Sequence, residues 1–310
     1  MNTPFEYNVN YFGGTEYMAR YFHKNVLPNK NKFYNYQCFL IPGPVPDFKT
    51  IVNDKRDIIL WMHIPFFQFN HELVSFIQDI RFLNKLKYVI VVSNFHKKII
   101  KNEINILDEE IIVIPNAFDS ITKNNKKFNE TDKVKIIYTS HPSRGLEILC
   151  ESLKYIKEDF ELNIFSDIFP ETLEDDNLFK QIEKDKRVNF FGKTPRKIVR
   201  KYFSDSHIFA YPSIFLETFC ISLTEAVSAE CLPVYPNFGA LSETINNFGI
   251  CYEYEKNKNT HIKTFAKGLN DAIFQIKNKK NNFKNQAQII EKKYSWQKFE
   301  KNWETFYDLL

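Results

Sequence analysis

A chain of 310 residues, 44% hydrophobic and 26% charged, exceeds the ~100 to 200 residues of one domain and carries enough apolar content to bury cores, which excludes a disordered chain and makes two globular units the expectation. Its 42 basic and 38 acidic residues leave a net charge of +4, too mild for a dedicated nucleic-acid binder; the lysine runs at 123–127 and 277–280 read as solvated linkers or helix ends, with a membrane-surface patch as the minority reading. Five cysteines, at 38, 150, 220, 231 and 251, are scattered without a C-x-x-C pair, and with no leader-like start and no ~18-residue apolar stretch the expectation is a reduced, cytoplasmic, soluble protein with at most peripheral membrane contact.

In chain order, short β-branched and aromatic runs alternate with amphipathic segments, the pattern of parallel strands joined by covering helices. The first part predicts strands at 37–41, 58–63, 88–93 and 111–115. After a polar stretch at 119–133 the pattern restarts, with strands at 135–140, 162–167, 188–192, 208–213, 232–237 and 249–254. Two doubly wound α/β units account for the length and the restart. In such sheets ligands bind beyond the carboxyl ends of the strands. The residues there include Gly13 and Gly14, His63, Ser93, Asn116, Ser140 to Gly145, Gly192 and Lys193, and Ser213 to Phe219. Most are small, polar or basic, as a cleft for a phosphorylated ligand requires.

The most informative stretch is YPSIFLETFCISLTEAVSAECLPVYPNFGALSET at 211–244. Glu217 precedes a helix expected at 222–228, and Glu225 lies inside it. Amides at a helix start can hold a diphosphate, and a carboxylate further in can accept from the vicinal hydroxyls of a ribose. Two glutamates eight apart are otherwise a solvated face. The order of motifs, however, resembles the E-x7-E region of the group-one, family-four glycosyltransferases, which have the GT-B fold. That resemblance implies two Rossmann-like doubly wound domains facing a central cleft: residues 1–122, completed by a helix at 294–310, for the acceptor, and residues 123–293 for the nucleotide-sugar donor.

The same resemblance extends to FGGTE at 12–16, similar to the family's glycine-rich turn beside the donor diphosphate, and to His63, at the strand end where the family has a sugar-contacting histidine. In YTSHPSRGL at 138–146, Arg144 stands where the family has its second phosphate-binding cation, while Thr139 replaces the first. Gly192 and Lys193 resemble the loop that reads the base. Val91 to His96 and Val113 to Asn116 are weaker matches, and His96, Lys97 and Lys98 are expected to face solvent. Two departures stand out: the lost cation, and a start, MNTPFEYNVNYF, without a clear apolar first strand before Gly14.

The resemblance implies a retaining glycosyltransferase that moves a sugar from a nucleotide diphosphate to an acceptor hydroxyl on a glycan, lipid or protein. Glu217 and His63 would position the sugar, Arg144 with Ser140 and the Thr218, Phe219 and Cys220 segment the diphosphate, and Glu225 the ribose. No cofactor and no metal are expected, since the chain has no Asp-x-Asp motif. A nucleotide-sugar-binding protein without turnover and a GT-B epimerase or phosphorylase are the alternatives. The base, sugar and acceptor are left open.

Overall fold

The computed structural model describes residues 3–10, 13–68, 71–124, 132–167, 180, 183–278 and 283–310. Phe12 and residues 125–131 and 279–280, on which parts of the glycine turn, the polar stretch and the lysine runs fall, lie outside the described residues. The chain divides into two units, Met1–Ala117 with Tyr294–Leu310, and Phe118–Lys293. The division precedes residue 122 for a local reason. Phe118 and Ile121 are buried, the Ile121 amide donates to Ser228 Oγ at 2.8 Å, and Arg200 donates to the carbonyls of Asp119 and Ser120 at 2.8 and 2.6 Å. The start of the polar stretch is therefore fastened to the second unit.

The first unit has a four-stranded parallel sheet in the order β1-β2-β3-β4. Its strands are β1 Gln37–Ile41, β2 Ile58–Met62, β3 Leu86–Val91 and β4 Ile111–Val113. Among the described residues no strand precedes β1. Strands laid down in one direction by right-handed crossovers carry their connecting helices on one face. Ile51, Phe82 and Ile100 of those helices accordingly share a core with Phe39, Ile41, Leu60, Met62, Val89 and Val91.

Side chains alternate across a strand, so Leu40, Ile59, Trp61 and Ile90 belong to the other face, and all four are buried. The chain ends cover it. Phe5, Phe22 and Trp303 are all fully buried. The Trp303 ring lies 4.8 Å from Trp61, 4.5 Å from Phe22 and 5.6 Å from Phe5, centroid to centroid. Trp303 belongs to the helix Trp296–Leu309, which Ser295 caps by accepting from the Lys298 amide. Its buried residues Phe299, Trp303 and Phe306 recur at intervals of four and three, one helical stripe.

The second unit has a six-stranded parallel sheet in the order β10-β9-β8-β5-β6-β7. The strands are β5 Val134–Thr139, β6 Phe160–Phe165, β7 Val188–Phe190, β8 Ile208–Ala210, β9 Leu232–Asn237 and β10 Ile250–Glu253. The chain builds outward from β5 to β7, then returns to the other side of β5 to lay down β8 to β10. Such a reversal marks a doubly wound sheet. β5 and β8 pair only through Ile136 with Ile208 and Ile137 with Phe209, whereas β5 stays paired with β6 as far as Thr139 with Phe165. The two central strands thus part before their carboxyl ends. Among the described residues no helix is long and apolar enough to cross a membrane, and all five cysteines are free thiols.

Trp303→Ala should cost about 3–5 kcal/mol, because it empties the aromatic face of the first sheet. Urea denaturation of the variant and of the milder Trp303→Phe, at or below about half that loss, checks this.

Candidate functional site

β5 and β8 stop pairing at the strand-order reversal, and the loops that follow them carry charged side chains toward each other. After β5, Tyr138 donates from its hydroxyl to the His141 carbonyl at 2.9 Å. His141 Nδ1 lies 2.8 Å from Ser143 Oγ, and Pro142–Arg144 forms a single 3-10 turn. Gly145 ends that turn in the left-handed region, φ +93°, where a Cβ would collide with the Pro212 carbonyl from the loop after β8. Only glycine lets the two loops approach this closely.

After β8 the backbone runs on beside β9, the Tyr211 amide donating to the Val234 carbonyl at 2.9 Å. Glu217 is then held by its own backbone: its carbonyl accepts from the Ala240 amide at 2.7 Å. Gly239, at φ +70°, has no room for a Cβ against that carbonyl. Thr244 Oγ1 donates to the Phe219 carbonyl at 2.7 Å. Cys220, at φ 78°, turns the chain into the helix Ile221–Ser228.

Three side chains converge in this frame. Arg144 Nη1 donates to Glu217 Oε1 at 2.8 Å, and the Tyr211 hydroxyl donates to the same oxygen at 2.6 Å. The Arg144 guanidinium sits 3.2 Å above the centroid of the Phe215 ring, which fixes its plane. The Glu217 and Arg144 side chains are 12% and 24% exposed, so the pair is shielded but reachable. Burial works against the charge on Arg144, yet the Glu217 carboxylate, with Tyr211 and Cys220 beside it, more than offsets this and the guanidinium's pKa is raised. Burial, with the Cys220 thiol and Glu217 beside it, holds the Tyr211 phenol protonated well above its ordinary range.

Glu225 lies elsewhere on the same helix and is itself buried. Its Oε1 accepts from Arg196 Nη2 at 2.7 Å and from Arg200 Nη1 at 3.3 Å. Oε2 has no donor among the described residues and is the acceptor left over. Gly192 follows β7 at φ +64°. Lys193 beside it is largely exposed and reaches Asp167, beyond the end of β6, at 3.4 Å. Ser140 and Thr218 fall in the two loops, Thr218 buried and Ser140 half-buried. Thr139, where the resemblance implied a lost cation, buries its Oγ1 with no hydrogen-bond partner among the described residues.

The first unit holds the remaining candidates. His63 follows β2, its amide donating to the Ile41 carbonyl at 2.7 Å, and its ring lies 5.0 Å from that of Trp61. Burial, and secondarily the neighbouring His96, pushes its pKa down to about 3. His96 corrects the expectation of a solvent-facing residue: it is fully buried, follows the Ser93 cap of the helix Asn94–Glu103, and burial lowers its pKa to about 3. Lys97 is not free either, since Nζ donates to the carbonyls of Asp108 and Ile111 at 2.7 and 3.0 Å. Gly13 and Gly14 are exposed at the start of the helix Gly14–Tyr21; Gly13 has φ −74°, open to any residue.

Sequence reasoning gave no role to Tyr211, Arg196 or Arg200, and took in Phe215 only as part of the strand-end stretch Ser213 to Phe219. The spacing of Arg196 and Arg200, one helical turn apart, was visible. Their partner, 25 to 29 residues on, was not. Among the described residues no group of three or more His, Cys, Asp and Glu could hold a metal ion.

Comparison with known proteins agrees on the architecture. The profile of the family "Glycosyl transferases group 1" matches residues 119–295. Among curated proteins nothing matches the chain. Solved structures with the same fold include the lipopolysaccharide outer core galactosyltransferase WaaB in its apo form, 16% identical, with a TM-score of 0.64 over 83% of this chain and 70% of that one. A glycosyltransferase from Rickettsia africae is 18% identical, with a TM-score of 0.66 over 99% and 83%. Anabaena Alr3699/HepE in complex with UDP is 16% identical, with a TM-score of 0.69 over 91% and 81%, and the same protein is matched in complex with UDP-glucose.

Four buried or half-buried histidines set a pH dependence. His63 and His96 have folded-state pKa values of about 3, and His207 and His261 of about 4, all below 6.5. The unfolded chain therefore binds protons that the folded chain refuses, so their contribution is complete above pH ~6.5 and is lost as pH falls from there toward 4 and 3, by up to about 1.4 kcal/mol per pH unit per group. Urea denaturation at pH 7, 5.5 and 4.5 should show this decline, and His96→Leu should make it shallower.

Proposed function

The chain belongs to the group 1 glycosyl transferases, and on that premise we propose that it is a retaining enzyme transferring a sugar from a nucleoside diphosphate to an acceptor hydroxyl without a divalent ion. The observation that carries this reading is the meeting of Arg144 and Glu217 at the strand-order reversal, beside the start of the helix Ile221–Ser228. Arg144 spends one donor on Glu217. Nε and Nη2 have no partner among the described residues and can bind the diphosphate, together with the amides at the helix start and the positive end of its dipole. A phosphate leaving the anomeric carbon gains negative charge, and fixed cationic donors stabilise that charge most when they are already in place.

In the reaction so proposed, the bond between the anomeric carbon and the phosphate oxygen breaks. The acceptor oxygen attaches on the same face, and its proton passes to the departing phosphate. Glu217 accepts from a sugar hydroxyl, and Oε2 of Glu225 from a ribose hydroxyl. By resemblance to the family, His63, neutral at working pH, would offer a hydrogen bond to the sugar. The UDP and UDP-glucose complexes of Alr3699/HepE make these the first ligands to try.

Arg144→Ala should weaken UDP binding roughly 10- to 100-fold by calorimetry. Glu217→Ala should lower turnover of UDP-glucose by roughly 100-fold while UDP affinity holds or tightens, since the arginine loses its internal competitor. Turnover should survive EDTA. A rate that requires added magnesium, or UDP binding indifferent to Arg144, would refute the assignment.

A further inference from the structure

Glu217 Oε1 accepts from two donors, Arg144 Nη1 at 2.8 Å and the Tyr211 hydroxyl at 2.6 Å, while Oε2 receives none among the described residues. A carboxylate oxygen has two lone-pair sites, so Oε1 is filled and Oε2 is the acceptor left over. The two donors differ in what binding a donor sugar does to them. The guanidinium is the group that a diphosphate would recruit, and any shift of Arg144 toward phosphate loosens its hold on the carboxylate. Tyr211 has no phosphate to meet; besides Glu217 its hydroxyl faces only the Cys220 thiol among the described residues. Its ring is 1% exposed, stacked on Phe209 at 5.4 Å and 16°, and its amide is fastened to β9 through Val234. The phenol therefore reaches Glu217 from backbone still paired to β9, just past the point where β8 leaves β5.

We infer that Tyr211 is a positioning residue, which keeps the Glu217 carboxylate oriented, with Oε2 presented to the sugar, when Arg144 is drawn to the diphosphate. The inference rests on the donor-site reading given above. It also explains a tyrosine rather than a phenylalanine in an otherwise apolar setting, because a buried phenol is tolerated only with a partner for its hydroxyl.

The test is a double-mutant cycle read by release of UDP from UDP-glucose, with thermal melts alongside. Tyr211→Phe keeps the ring stack and removes the donor. Its kcat should fall about 5- to 20-fold, with the KM for UDP-glucose and the inhibition constant of UDP within about twofold. In a Glu217→Ala background the same change should cost nothing further. Tyr211→Phe with unchanged kcat, an equal loss in both backgrounds, or loss of a cooperative melt would each overturn the proposal, the last by assigning the tyrosine to packing. Wild-type protein that turns over no donor would instead bring down the transferase reading itself, and this inference with it.

Discussion

The handedness of the crossover between parallel strands is the constraint from which both units follow. A right-handed connection puts its helix on a face determined by the direction in which the next strand is added. The first unit adds all four strands in one direction, so its linking helices crowd one face and the other is left for the two chain ends. The second unit adds three strands one way and three the other, so both faces are served by its own helices, and the reversal leaves a crevice between β5 and β8. One rule thus produces a sheet that needs its C-terminal helix and a sheet that opens a site.

What fills that crevice depends on backbone contacts before it depends on charge. Gly145 against Pro212, and Gly239 against Glu217, are approaches that no side chain permits: the first brings the loops after β5 and β8 close enough for one ion pair, and the second seats Glu217 against the loop after β9. Because Arg144 and Glu217 are shielded from water, each would be costly to bury alone, and each makes the other affordable. The arrangement is also poised: Arg144 keeps two donor groups in reserve, and Glu217 keeps one oxygen. The Phe215 ring, 3.2 Å from the guanidinium, already fixes the plane of that cation.

The first unit shows the opposite use of polar groups. His63 and His96 are buried, His63 beside the Trp61 ring, and they are kept neutral by desolvation. A neutral imidazole can both donate and accept, so such a residue at a strand end suits orientation better than charge stabilisation. Taken separately, the second unit buries a charged pair and the first buries neutral imidazoles.

The ten strands and the α/β class were legible in the sequence because runs of β-branched and aromatic residues answer to a local periodicity, and each run bears its own evidence. The positions that end up beyond strand ends could be read for the same reason, Arg144 and Glu217 among them. Pairings could not. His96 sits between residues that invite a solvent-facing helix, yet the fold places it inside. Glu225 looks like a free ligand-binding carboxylate until Arg196 and Arg200 arrive from the preceding helix. Tyr211 differs from any strand-end aromatic only because the loop after it curls back to put Glu217 within 2.6 Å of its hydroxyl. Periodicity is a property of a few neighbouring residues, whereas the partner of a buried charge is decided by strand order and loop direction, which exist only once the whole sheet is assembled.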